Sequence, residues 1–167
     1  KDRKERANWL KAIRREKMPS VTEAKVPNLG DMSKINGKEY HGTIDLLVGG
    51  TPCQGFSIAG TQKGLDDPRS ALALKYVELL ESARPRWFVW ENVPNAFSCN
   101  GGGDVKEFFR QITEIGYGVC WRVLDAEYVR VDGFPGAVPQ RRRRIFAVGY
   151  LGDWRPAAKV LFEPKML

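Results

Sequence analysis

Short apolar runs bounded by glycine, proline or polar residues alternate along the chain with amphipathic segments of helical period. The run from Thr43 to Val48 is rich in Ile, Leu and Val and too short for a helix, so it predicts a strand covered on both faces. Leu72, Tyr76, Leu79 and Leu80 then recur at helical spacing, in a helix capped by Ser70 and ended near Ala83 by Pro85. Arg86-Trp87-Phe88-Val89-Trp90 predicts a second buried strand. Gly101-Gly102-Gly103-Asp104 opens another helix, with Asp104 as N-cap and Val105, Phe108, Phe109, Ile112 and Ile115 on its apolar face. Val119 to Val131 reads as extended and alternating, and Ile145 to Gly149 as a last strand pairing with it antiparallel.

Outside this core the pattern thins. Residues 3–17 read as a basic helix with Ala7, Trp9, Leu10 and Ile13 on one side, stopped by Pro19, and Val26 to Asp31 as a short strand breaking into a turn. The expected organisation is a basic helical segment over 1–25, a core over 26–152, and a weakly patterned tail over 153–167 that leads toward a further region. Strand, helix, strand, helix and an extended pair make an α/β fold, its sheet mostly parallel with an antiparallel pair near the C-terminus. Ligands of such sheets gather outside the carboxyl ends of the strands. Pro52-Cys53-Gln54 and Glu91-Asn92-Val93 both leave the sheet there, and the loop from Gly49 to about Arg69 is long enough to be functional.

Composition narrows the chemistry. The 167 residues are 43% hydrophobic and 28% charged, as in an ordinary globular domain. No apolar run approaches the roughly 20 residues of a membrane span, and no signal peptide is visible, so a cytoplasmic protein without a membrane partner is expected. Cys53, Cys99 and Cys120 with His41 alone suggest neither a disulfide framework nor a zinc site, and no metal is expected. The same scarcity of histidine removes Ser-His-Asp and most Cys-His schemes; a nucleophilic Cys53 needs another activator. Net charge +7 favours an anionic partner, nucleic acid above all, because Arg141-Arg142-Arg143-Arg144 concentrates cations that repel one another and seek anions.

A thiol, a carboxylic acid and arginines converging at one sheet edge suit chemistry at carbon 5 of cytosine. That carbon becomes nucleophilic when a thiolate adds to carbon 6 while a proton reaches ring nitrogen 3 and a guanidinium holds the ring oxygen. Taken in order, Pro52-Cys53-Gln54-Gly55-Phe56-Ser57, Glu91-Asn92-Val93 and Gln140-Arg141-Arg142-Arg143-Arg144 resemble the motifs of cytosine-5 DNA methyltransferases. Gly64 to Leu72 is similar to that family's loop-to-helix segment, and Gly30-Asp31-Met32 to its strand end beside the adenine of S-adenosylmethionine.

The resemblance implies a Rossmann-like sheet that uses S-adenosylmethionine, acting on duplex DNA with a flipped cytosine, of bacterial or phage restriction-modification type. Cys53 would attack carbon 6, Glu91 would bind and protonate nitrogen 3, Arg144 would face the ring oxygen, and Arg142 would brace the loop or a phosphate. Asp31, Met32, Pro52 and Leu72 would line the cofactor site; Gln54, Ser57, Arg69 and Gln140 would serve the turn and the DNA. The match runs from about Val26 to Tyr150 and lacks the family's glycine-rich cofactor loop and its target-recognition region, while Val131 to Ala137 is longer than the usual link. It implies the central part of such an enzyme, nearly inactive alone and monomeric. Rival readings are an inactive fragment that binds nucleic acid weakly and a same-fold RNA cytosine-5 methyltransferase.

Overall fold

The computed structural model describes residues 28–52, 68–130, 136–137 and 139–162; the helix expected at 3–17, the start of the strand expected at Val26, and residues 131–135 lie outside them. Chain contacts divide the protein into Lys1–Gly30 and Asp31–Leu167. In the first unit, Asn28 Oδ1 accepts the Gly30 N–H at 2.9 Å, closing the expected turn. The second unit carries β1 (Leu46–Gly50), α1 (Pro68–Ala83), β2 (Trp87–Asn92), α2 (Gly103–Glu114), β3 (Tyr117–Asp125), β4 (Arg143–Leu151) and α3 (Arg155–Leu161).

The sheet order is β1-β2-β4-β3. β1 and β2 run parallel, joined by the α1 crossover, whereas β2 with β4 and β3 with β4 are antiparallel. The α/β class and the antiparallel pair are as expected. A mostly parallel sheet is not what the described strands form, because β4 enters between β2 and β3 and makes two of the three pairings antiparallel.

Side-chain alternation decides what each face holds. In β2 it sends Phe88, Trp90 and Asn92 into the core, and Trp87, Val89 and Glu91 to the other face. α1 buries Ala73, Tyr76, Val77, Leu80 and Ala83, and α2 buries Val105, Phe108 and Ile112. These residues stack on the core face: the Phe108 ring lies 4.9 Å from Trp90, and Tyr117 meets Phe88 edge-on at 5.4 Å. The buried hydroxyls find acceptors, Tyr76 Oη at Val89 O (3.0 Å) and Tyr117 Oη at Pro85 O (2.5 Å). Burial pushes the Tyr117 hydroxyl up to about 12, so it remains a donor at any physiological pH.

Helix ends follow local chemistry. Arg84 takes a left-handed conformation (φ 49°) after α1, its N–H returning to Leu80 O, and Pro85 prevents continuation. At α2 the cap is Gly102, and Asp104 sits inside the first turn at 2% exposure, which corrects its expected place as N-cap.

Two further expectations change on the opposite face. The tail forms α3, which lies against β3 and β4: Cys120 Sγ contacts Trp154 O at 3.7 Å and Arg122 Nη1 donates to Leu161 O at 3.4 Å. Over β1 no described residue forms a second layer, and Leu46 (51%) and Val48 (63%) stand exposed, so the strand expected to be covered twice is covered once.

The close packing of β4 on β2 yields a test. A methyl group at Gly149 would overlap the ring of wholly buried Phe88, which cannot retreat because Tyr117 packs against it. Gly149→Ala is expected to lower unfolding stability by about 1–3 kcal/mol in urea titrations; wild-type stability would show that the ring yields freely.

Candidate active site

The site is assembled where β1 and β2 end side by side. Gly50 pairs with Glu91, and the next residue, Thr51, is 5% exposed. Its hydroxyl accepts the Trp90 indole N–H at 3.0 Å and its carbonyl accepts the Asn92 amide at 2.8 Å, while Asn92 Oδ1 takes the Val93 N–H at 2.8 Å. Two residues of β2 therefore hold Thr51, the residue that follows β1 and precedes exposed Pro52. Buried polar groups satisfied in this way resist displacement, because each lost partner leaves a donor or acceptor stranded away from water.

Glu91, between Trp90 and Asn92 in sequence, must by alternation face the other way. Its carboxylate lies over Gly50, where an added Cβ would stand 3.2 Å from Oε2 and 3.1 Å from the Glu91 carbonyl oxygen. Hydrogen at that position leaves the acid room to lie across β1. β4 supplies the counter-charge. Phe146 pairs with Glu91, and two residues earlier on the same face Arg144 places Nε 2.8 Å from Glu91 Oε1. The pair is part-shielded, at 23% exposure for the arginine side chain and 37% for the glutamate. A carboxyl group and a guanidinium side by side can hold a planar group that offers both donors and acceptors.

The remaining arginines are disposed one by one. Arg141 Nε bonds Glu127 Oε2 at 3.2 Å, the Arg142 N–H donates to Asp125 Oδ1 at 2.9 Å, and Arg143 accepts Arg144 Nη1 on its carbonyl at 2.7 Å. Gln140 and the side chains of Arg141, Arg142 and Arg143 are exposed.

Glu91 and Arg144, both expected in the site, are thus brought together, with Pro52 at the end of the neighbouring strand. Cys53, Gln54 and Ser57 lie outside the described residues, and Arg69 stands in the first turn of α1. Asp31 caps a short 3-10 turn, Met32–Lys34, that packs on α1, the helix carrying half-buried Leu72. Its carboxyl accepts the Ser33 N–H at 2.9 Å, and that backbone hydrogen bond holds it below the ordinary carboxylate range. Sequence reasoning missed Thr51 and Asp125; the one signal for each was a polar residue at the border of an apolar run. Among the described residues no cluster of histidine, cysteine and carboxylates is placed to hold a metal, and no helix is long and apolar enough to cross a membrane.

Residues 17–165 match the family model described as C-5 cytosine-specific DNA methylase. The orphan methyltransferase M.Rho11sI of Bacillus phage rho11s is 37% identical over 75% of this chain and 24% of its own length. The type II methyltransferase M.NgoPII of Neisseria gonorrhoeae is 32% identical over 74% of this chain and 34% of its own. A protein named DNA N-6-adenine-methyltransferase from Escherichia phage P1 is 38% identical, over 95% and 27%. The chain spans about a quarter to a third of the length of these relatives. Among solved structures, the Dnmt2 methyltransferase of S. pombe shares the fold with a TM-score of 0.55 at 21% identity, over 74% of this chain and 36% of that one.

Thr51→Val keeps the shape of the side chain and removes the acceptor of the Trp90 N–H. A loss of about 1–3 kcal/mol is expected, with Thr51→Ser close to wild type, both read by thermal and urea unfolding. Equal stability of the valine variant would deny the lock its importance.

Proposed function

We propose that this chain, which belongs to the C-5 cytosine-specific DNA methylase family, forms the part of a DNA cytosine-5 methyltransferase that grips and activates the target base. The observation that carries the reading is the Glu91–Arg144 pair, 2.8 Å apart at the carboxyl end of β2, beside the end of β1 that leads to Pro52.

The edge of cytosine presents a ring oxygen, a ring nitrogen and an exocyclic amine in a row. Glu91, once protonated, donates to nitrogen 3 and accepts from the amine, and Arg144 donates to the oxygen, where negative charge builds as the ring is attacked. The Cys53 thiolate adds to carbon 6, forming a carbon–sulfur bond as the ring double bond shifts its electrons toward carbon 5 and the proton from Glu91 settles on nitrogen 3. After carbon 5 is methylated, loss of its proton to a base expels the thiolate, and return of the nitrogen 3 proton to Glu91 leaves the neutral aromatic ring. S-adenosylmethionine, the donor that family membership implies, supplies an electrophilic methyl group when bound. Asp31, Met32, Leu72 and Pro52 would hold its adenine side.

The base must leave the helix to be reached, and the loop after Cys53, with Gln54 and Ser57, would close over it while Arg69, Gln140 and Arg142 meet the DNA backbone. Net charge +7 supports a polyanionic substrate. A cytoplasmic location and a monomer agree with this reading.

Trapping on 5-fluorocytosine tests it, since fluorine at carbon 5 blocks the final elimination. In an enzyme of full family length that contains this chain, duplex DNA and S-adenosylmethionine are expected to give a denaturation-resistant adduct that disappears in Cys53→Ser. Glu91→Gln should slow its formation by about 100-fold or more. An adduct that survives Cys53→Ser would overturn the role of Cys53, and an adduct formed with transfer RNA in preference to duplex DNA would make the substrate RNA.

A further inference from the structure

Arg142 stands one residue before β4, yet both of its backbone groups are tied to the end of β3. Its carbonyl accepts the Ala126 N–H at 3.2 Å, and its N–H donates to Asp125 Oδ1 at 2.9 Å. The same carboxylate oxygen takes the Glu127 N–H at 3.3 Å, and the Asp125 carbonyl takes the N–H groups of Tyr128 (2.9 Å) and Val129 (3.2 Å). One residue thus closes the turn after β3 and anchors the start of β4. The turn also carries Glu127 to Arg141 Nε at 3.2 Å.

Four consecutive arginines make this anchor necessary. Strand alternation gives Arg142 and Arg144 the same parity, so a two-residue slip would bring Arg142 to Glu91, and a one-residue slip, which reverses every side chain, would turn Arg143 toward it. Buried residues from Ile145 onward hold the body of β4 in register, but its first residue, Arg143, is exposed, so the start of the strand depends on the bonds to Asp125 and Ala126. A carboxylate on a single methylene has a short reach and little freedom, which a longer glutamate would regain.

We propose that Asp125 is the positioning residue for Arg144: by bonding the Arg142 N–H it fixes the register in which Arg144, and no other arginine, meets Glu91. The catalytic meaning of the proposal rests on the functional reading above. Its test does not, because the readout is the Arg144 side chain, which reports geometry whether or not any methyl group is transferred.

The experiment is hydrogen exchange followed by nuclear magnetic resonance on the full chain, with the Arg144 Nε–H assigned by its disappearance in Arg144→Lys. In the wild type, the backbone N–H of Arg142 should exchange at least about tenfold more slowly than in an unstructured peptide. Asp125→Ala should speed exchange of the Arg144 Nε–H by about tenfold or more, whereas Asp125→Asn, which keeps the acceptor, should stay within about twofold of wild type. Glu127→Gln should also leave the Arg144 signal in place. An Asp125→Ala protein that melts earlier with its Arg144 signal unchanged would reduce Asp125 to a stabilising residue and overturn the proposal. If Asp125→Ala does not fold, the other two measurements decide: an unprotected Arg142 N–H in the wild type, or loss of the Arg144 signal in folded Asp125→Asn, would overturn it equally.

Discussion

The buried lock between Thr51, Trp90 and Asn92 is the constraint from which the rest of the site follows. It joins the end of β1 to the end of β2 through side chains, beyond the reach of the ladder. Because Trp90 and Asn92 must point into the core to make it, Glu91 between them is forced to the opposite face. The acid is therefore placed by its neighbours' hydrogen bonds. Its own surroundings are polar and half open.

The second determinant is charge distribution. A net charge of +7 on 167 residues could have been spread over a solvated surface. In the arginine run it is sorted: Arg141 goes to Glu127, Arg144 to Glu91, and Arg142 is held by its backbone. Surface ion pairs contribute little to stability, so this sorting is better understood as a way of directing guanidinium groups than as a source of folding energy. The side chains of Arg142 and Arg143 are exposed.

Much of the frame was legible because period and length carry it. The runs at Leu46-Leu47-Val48, Trp87 to Trp90 and Ile145 to Gly149 are strands, and the leucine repeat after Ser70 is a helix. The parity that puts Glu91 and Arg144 on one face was legible too, once β2 and β4 were known to be neighbours. That adjacency was not legible, since strand order depends on contacts between distant segments. α3 was missed because seven residues with Pro156 and two alanines give almost no periodic signal, and their burial comes from the sheet beneath. Thr51 and Asp125 were missed for another reason: a side chain that bonds a distant backbone leaves no trace in hydropathy. The nucleophile expected at Cys53 lies outside the described residues, so its role stands on the sequence pattern and on the placement of its neighbours.

β1 carries a consequence of its own. It closes one side of the described sheet, and on the face away from the helices Leu46 and Val48 lie in the open. An edge strand with apolar side chains is a template on which other strands assemble. What opposes this in solution is the repulsion between like-charged copies, which salt screens over about 10 Å at 0.1 M while leaving apolar contact intact. Salt therefore weakens what holds such edges apart without weakening what draws them together.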